Sequence, residues 1–190
     1  MIVSGILLAA GKSSRFGREK LLESMGGKRM IEWSMEALRI SEIERRIAVV
    51  PPSLGDVVSE DFHVLLNEKQ ELGISHSIHL AVSYANESNA ILFHLADQPF
   101  VGPDVMRKMI SIFLKNDRKI VAAAVNGDPR NPMVFPRKYY GDLLSLSGDN
   151  GAKSVAMSHI SDVLMVEVDE ATLMDIDTVG DLEKARTLRG

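Results

Sequence analysis

The chain contains no cysteine. That excludes a disulfide framework, a thiolate nucleophile and a Cys-ligated metal. Aromatic residues are few, at 5%, with a single tryptophan. Trp33 and the ten methionines are expected to serve packing, not a cofactor box. No apolar run reaches the roughly 20 residues that span a bilayer. No basic stretch followed by a long apolar segment opens the chain, so no export signal is apparent and a cytoplasmic protein is expected. There is no repeat, low-complexity tract or linker. Net positive charge is missing too: the formal charge is -4 and the pI about 5.7, which argues against a nucleic-acid surface. What remains is ordinary soluble composition. At 190 residues and 45% hydrophobic content the chain fits one domain with a proper core.

Apolar runs alternate with helical periodicity. Strands are predicted over Val3–Ala10, Arg46–Val50, His63–Leu66, Ala90–Leu95, Ile120–Val125, Met133–Phe135 and Val163–Val168. Met30, Trp33, Ala37 and Ile40 follow the 3.6-residue period, as do Val105, Met109, Ile112 and Phe113 behind a Gly102-Pro103-Asp104 start. A last helix is expected over Asp181–Leu188. The turn-rich stretch Asn126–Pro136 is expected to interrupt the alternation. Strands that are apolar throughout, alternating with helices, predict a three-layer α/β/α sandwich around a mostly parallel mixed sheet. In such sheets ligands bind at the carboxyl ends of the strands. His94, inside a strand, is expected to be a core histidine satisfied locally.

The loop after the first strand breaks the charge pattern. The first thirty residues hold six Lys/Arg and two Glu, a balance of +4, so the remainder must sum to -8. Lys12, Arg15, Arg18 and Lys20 are concentrated among Gly11, Ser13, Ser14 and Gly17. Small residues let backbone N–H groups approach an anion. Arg15 can fork onto phosphate oxygens and Lys20 can act as a point charge. The alternative is a solvated basic turn. Neither Gly-x-x-x-x-Gly-Lys-Ser/Thr nor Gly-x-Gly-x-x-Gly is present, so the loop is neither the usual P-loop nor a Rossmann dinucleotide site.

The segment "LAAGKSSRFGREK" resembles the signature Leu-Ala-Ala-Gly-x-Ser-x-Arg-Phe-Gly-x-x-Lys of the nucleotidyltransferases that complete molybdenum cofactors. It is most similar to the molybdenum cofactor cytidylyltransferases. The sister guanylyltransferases usually read Leu-Ala-Gly-Gly-x-Ser-x-Arg-Met-Gly, and Ala10 and Phe16 stand on the cytidylyl side. "LADQPFV" at Leu95–Val101 resembles the family's metal-binding turn. "NPMVF" at Asn131–Phe135 and "LSGDNGAK" at Leu146–Lys153 resemble its acceptor half, and "DIDTVGDL" at Asp175–Leu182 its closing motif.

The resemblance implies a nucleotide-diphospho-sugar-transferase fold, of Rossmann-like type, with an N-terminal nucleotide half and a C-terminal acceptor half. It implies transfer of CMP from CTP to a molybdopterin phosphate with release of pyrophosphate. GTP, or another small phosphate acceptor, is the nearest alternative. A non-catalytic carrier that stores the cofactor is the alternative of another class. Nucleotidyl transfer needs no protein nucleophile, only positioning and charge neutralisation. By the resemblance, Leu8, Ala9, Ala10, Gly11, Ser13, Arg15 and Lys20 surround the nucleotide, and Ser75 or Ser77 of the Gly73–Ser77 loop touches it. Asp97 holds Mg²⁺, joined by Asp177 or, as second choice, Asp175. The bland alternative for these carboxylates is capping a turn or the last helix. Arg130, Asn131 and Asp149 face the acceptor; Arg130 otherwise makes a surface salt bridge, and Asp149 otherwise caps the following helix. Lys153 stands where the family more often has Arg. The product implies transient docking to a molybdenum hydroxylase.

Overall fold

The computed structural model describes residues 1–11, 16–40 and 42–189. In chain order these form β1 (Val3–Leu8), β2 (Ser24–Met25), β3 (Lys28–Arg29), α1 (Met30–Ala37), β4 (Arg45–Val50), β5 (His63–Leu66), α2 (Ile74–Tyr84) and β6 (Ala90–Leu95). Then follow α3 (Pro103–Lys115), β7 (Ile120–Val125), β8 (Asp128–Pro136), α4 (Tyr140–Leu144), α5 (Ala152–Ser158), β9 (Val163–Glu167) and α6 (Val179–Arg189). Seven strands make one sheet in the order β5-β4-β1-β6-β8-β7-β9, and β2 and β3 form a separate small hairpin. Every pairing in the large sheet is parallel except those of β8, which runs against β6 and β7.

Both faces of the sheet are covered, which is why its strands carry apolar side chains without alternation. On β1, Val3 and Leu7 face one core while Ile6 and Leu8 face the other. On β6, Leu92 takes the first side and Phe93 the second. The first core is closed by α1, α3 and α6 through Met30, Met35, Met106, Phe113 and Leu182. The second is closed by α2, α4 and α5 through Ile78, Val82, Leu143 and Val155. The expected three-layer sandwich is therefore present. Helix α3 illustrates the local cause. Pro103 opens it where its missing N–H costs nothing, Asp104 and Lys115 complement the helix dipole, and Met106, Met109, Ile110 and Phe113 form its buried stripe.

Four local expectations need correction. Strand β1 ends at Leu8, although Ala9 still donates its N–H to the Val49 carbonyl at 2.9 Å. The turn-rich Asn126–Pro136 stretch does interrupt the alternation, as a hairpin, but the strand within it is β8, longer than the expected Met133–Phe135. Val125 pairs with Asp128, leaving Asn126 and Gly127 as a two-residue hairpin loop, both with positive φ. That is what an Asn-Gly hairpin turn requires. Gly73–Ser77 is not a loop beyond Gly73; it is the start of α2, because Ile78, Ala81 and Val82 place one face of this segment in the core. His94 is fully buried, yet neither ring nitrogen finds a hydrogen-bond partner among the described residues. Its neighbours on β6 are apolar, so the site offers burial without polar compensation.

Burial disfavours the charged imidazole and pushes the His94 pKa down to about 3 from an ordinary 6.5. The neutral form is favoured in the folded state, so stability from this group is present above pH 6.5 and lost as pH falls towards 3. His94→Leu is expected to be the more stable protein in acid. Its advantage over wild type, read by urea unfolding, should grow between those two pH values. A pH-independent difference would show that His94 has a partner in solution.

Candidate active site

The carboxyl ends of β1 and β6 open into a cleft of about 410 Å³. Leu8, Ala9, Ala10 and Gly11 form one wall, and Leu95, Ala96 and Asp97 the neighbouring one. These two walls are adjacent because β1 pairs β6 in register, with Leu8 opposite Leu95. Gln70 and Glu71 border it from the short helical turn Gln70–Leu72, Gly73, Ile74 and Ser77 from the start of α2, and Asp149 from the turn before α5.

Lys20 enters this cleft from the short helical turn Lys20–Leu22. Its ammonium lies 2.8 Å from Asp97 Oδ2 and 2.8 Å from Asp177 Oδ1, while the residue is only 7% exposed. Burial alone would lower its pKa, but the charges and hydrogen bonds of Asp97 and Asp177 outweigh burial and hold the ammonium above the ordinary lysine value. The group therefore stays protonated. Asp97 follows β6, and its carbonyl accepts the Ile176 N–H at 3.0 Å, which ties the Asp175–Asp177 segment to this strand end. Asp175 keeps an exposed edge but is crowded by protein. Desolvation, then the charges of Asp97 and Asp177, push its carboxyl up to about 6, against a hydrogen bond from Gln98 and the charge of Lys20. Neither Asp177 nor Asp175 caps the last helix. Thr178 and Asp181 do so reciprocally: Asp181 Oδ2 accepts the Thr178 N–H at 2.9 Å, and Thr178 Oγ1 accepts the Asp181 N–H at 3.1 Å.

The nucleotide-side expectations divide. Leu8, Ala9, Ala10, Gly11, Lys20 and Ser77 line the cleft. Ser13 and Arg15, with Lys12, lie outside the described residues. Ser75 is buried behind the cleft and does not line it; its N–H goes to the Gly148 carbonyl at 3.2 Å. Sequence reasoning missed Asn67, whose amide donates to Ser77 Oγ at 2.8 Å, and Gln70, whose amide donates to the Ala10 carbonyl at 3.2 Å. A polar residue just after a strand's carboxyl end was the available signal, since that is where ligand-facing groups sit.

On the acceptor side, β8 pairs Met133 with Phe93 and runs on past the end of β6. Its first residues thus overhang the edge from which Asp97 projects. A register shift opposite Ala122 and Ala123 of β7 makes a bulge in β8, which leaves Asn131 and Pro132 unpaired there, joined by a cis peptide. Bulges commonly re-aim side chains beside active sites. The Asn131 Oδ1 is buried without a partner among the described residues. Arg130 is engaged by Asp128 at 3.1 Å, and Lys153 grips the same carboxylate at 2.6 Å. The salt bridge anticipated for Arg130 is therefore present, though internal to the hairpin. Arg130 and Asn131 do not line the cleft, whereas Asp149 does. Asp149 is not the cap of α5, whose N-cap is Gly151.

Carboxylates and a buried ammonium thus stand at the carboxyl edge of the sheet, where ligands bind in folds of this kind, beside a backbone-walled cleft. Solved structures agree on the fold. The manganese complex of Rv0371c from Mycobacterium tuberculosis superposes with a TM-score of 0.83 at 22% identity, covering 98% of this chain and 99% of that one. A nucleotidyl transferase from Methanothermobacter superposes with a TM-score of 0.82 at 22% identity, covering 99% and 97%. The fold is thus that of the nucleotide-diphospho-sugar-transferase type. The chain belongs to the MobA-like NTP transferase family, whose domain profile matches residues 5–163. It is a nucleotidyltransferase by that membership. A relative from Natranaerobius thermophilus is 29% identical over 99% of this chain and 97% of its own length, and is named a probable molybdenum cofactor guanylyltransferase. Among the described residues no helix is long and apolar enough to cross a membrane.

The cleft depends on Gly73. Its φ is +81°, and a Cβ there would stand 2.4 Å from the Gly148 carbonyl oxygen and 2.6 Å from Asp149 Oδ1. Backbone must move to admit it. Gly73→Ala should cost about 1–3 kcal/mol of stability. Urea unfolding with the same m-value and a lower midpoint is the expected result; an unchanged midpoint would mean that the Gly148–Asp149 turn does not dock on α2 in solution.

Proposed function

We propose that the protein transfers CMP from CTP to the phosphate of a molybdopterin-type acceptor and releases pyrophosphate. The observation that carries this reading is the convergence of Lys20, Asp97 and Asp177 beside the Leu8–Gly11 wall. An oxygen of the acceptor phosphate attacks the α-phosphorus of the nucleotide. A new P–O–P bond forms, and the bond to the β-phosphate oxygen breaks, so pyrophosphate carries away the electron pair. No side chain is needed as nucleophile. The backbone of Leu8–Gly11 holds the base and ribose, and the start of α2, the positive end of its dipole, borders the same cleft. Lys20 neutralises phosphate charge, and Arg15, which precedes it in the motif, adds a fork. Asp149 orients the acceptor, with Asn131 and Arg130 beside it on the overhanging hairpin.

Two carboxylates that converge on one cation are the hard oxygen donors that Mg²⁺ takes. Among the described residues no group of three or more His, Cys, Asp or Glu could hold a metal ion. Asp97 and Asp177 would hold it with waters and substrate phosphates completing the shell, as magnesium prefers. The ion would supply charge neutralisation at the transferring phosphate. The manganese bound by the Mycobacterium tuberculosis structure supports a divalent ion. We place the reaction in the cytoplasm, with the product handed to a molybdenum hydroxylase by transient docking.

The choice of CTP rests on Ala10. Ala10 lines the cleft, and Phe16 is buried in the adjoining core. A Cβ at residue 10 narrows the room a purine needs. The name of the Natranaerobius relative favours GTP as a second reading. Wild type is expected to prefer CTP, and Ala10→Gly with Phe16→Met to relax the preference by about 1–3 kcal/mol at most. All four nucleotides are tested with purified molybdenum cofactor, following pyrophosphate and, by mass, the dinucleotide. A preference for GTP would overturn the cytidylyl reading alone. Absence of pyrophosphate with every nucleotide would favour a carrier.

Within the same assay, Lys20→Ala should fold and lose about 10²–10³ in rate. Asp97→Asn should raise the half-saturating Mg²⁺ concentration. Wild-type turnover and metal dependence in both variants would remove these residues from the chemistry.

A further inference from the structure

Lys20 does more here than wait for phosphate. Its ammonium already stands between the two carboxylates that the reading above gives to a divalent ion, bonded to each at 2.8 Å. We propose that Lys20 is the resident cation of the Asp97–Asp177 site and that a divalent ion binds there only by displacing its ammonium into the cleft. This rests on the assignment of Asp97 and Asp177 as metal ligands, though not on which nucleotide or acceptor is used.

The electrostatics require a cation at this point. Asp97 and Asp177 each bring a carboxylate oxygen to the same nitrogen at 2.8 Å, so the two negative charges face one point. Like charges in a partly desolvated pocket repel unless a counter-charge intervenes. Lys20 is that counter-charge, and the nitrogen bonded to both carboxylates fills the position where a bridging ion would sit. Ammonium and divalent ion therefore exclude one another between the same two oxygens. Their exchange has an asymmetric cost. An ammonium that leaves two carboxylates for an empty cleft loses two ion pairs; one that leaves them for a bound phosphate regains a partner. The residue lines the cleft, so the displaced ammonium has somewhere to go. Competition of this kind also gives Lys20 a reason to be lysine: its flexible stem and point charge permit withdrawal, whereas a planar guanidinium forked onto carboxylates would not leave easily.

Metal binding, not turnover, tests this. Mn²⁺ is titrated into the full-length protein without nucleotide, and bound ion is read by electron paramagnetic resonance. Lys20→Met should bind Mn²⁺ about ten-fold more tightly than wild type, and Lys20→Arg no more tightly than wild type; circular dichroism confirms that each is folded. Equal or weaker binding by Lys20→Met would overturn the proposal. Wild type supplies a second measurement that needs no variant. Acetylation of Lys20 followed by peptide mass spectrometry should be slow in metal-free protein and several-fold faster at saturating Mn²⁺. A labelling rate that saturating Mn²⁺ leaves unchanged overturns the displacement. Neither measurement involves dinucleotide formation, so a wrong substrate assignment would fail the turnover assay and leave both results standing.

Discussion

The site is organised by one buried ammonium between two carboxylates. Lys20 belongs to the segment after β1, Asp97 to the turn after β6, and Asp177 to the segment before α6. Asp97 and Asp177 lie 77 and 157 residues beyond Lys20 in the chain, yet both carboxylates bond the same nitrogen. The C-terminal segment is thereby fastened across the end of the central strands. The backbone bond from Ile176 to Asp97 fixes that segment independently of charge, while Ile176 itself is buried in the core below. Burying these charges would be costly if any one of them lacked its partners. Here the lysine keeps two, so the cost of desolvating it is offset where it falls.

The sheet explains why this can happen at a single place. β1 lies between β4 and β6 with all three parallel, so three carboxyl ends open on the same edge. Loops leaving those ends have to converge. The reversal of direction at β8 then brings a hairpin over the same edge from the opposite side. One wall of the cleft is built from parallel strand ends, and the wall across from it from the Gln70–Ser77 segment and Asp149. Within that second wall Gly73 meets Gly148 and Asp149, where absence of a side chain lets two backbones approach.

Much of this was legible in the sequence. All seven strands of the main sheet stood out as apolar runs, because a sheet covered on both faces leaves no polar alternation to confuse with loops. Lys20, Asp97 and Asp177 were legible as candidate site residues through the motifs that carry them, and the fold brings them together. Their mutual ion pairs were not, since nothing local in a lysine or an aspartate specifies a partner 77 residues away. The start of α2 was hidden because glycine and two serines read as loop, while its core-facing Ile78, Ala81 and Val82 come only later. The Asp128–Arg130–Lys153 cluster depends on the packing of α5 against β8, and its engagement of Arg130 inside the hairpin could not be separated from phosphate binding by composition. His94 failed the sequence expectation for the same reason: partners are a property of tertiary structure. The unpartnered imidazole carries no signature in the chain.

Lys20 and Asp97, joined by their ion pair, are expected to act as one unit. A double-mutant cycle with Lys20→Met and Asp97→Asn, read as kcat/KM for pyrophosphate release, measures that directly. If the two residues form one working group, the double variant should be little worse than the poorer single variant, as losses within a catalytic unit do not multiply. Losses that multiply across the cycle would mean that the two residues act independently, and would contradict the account.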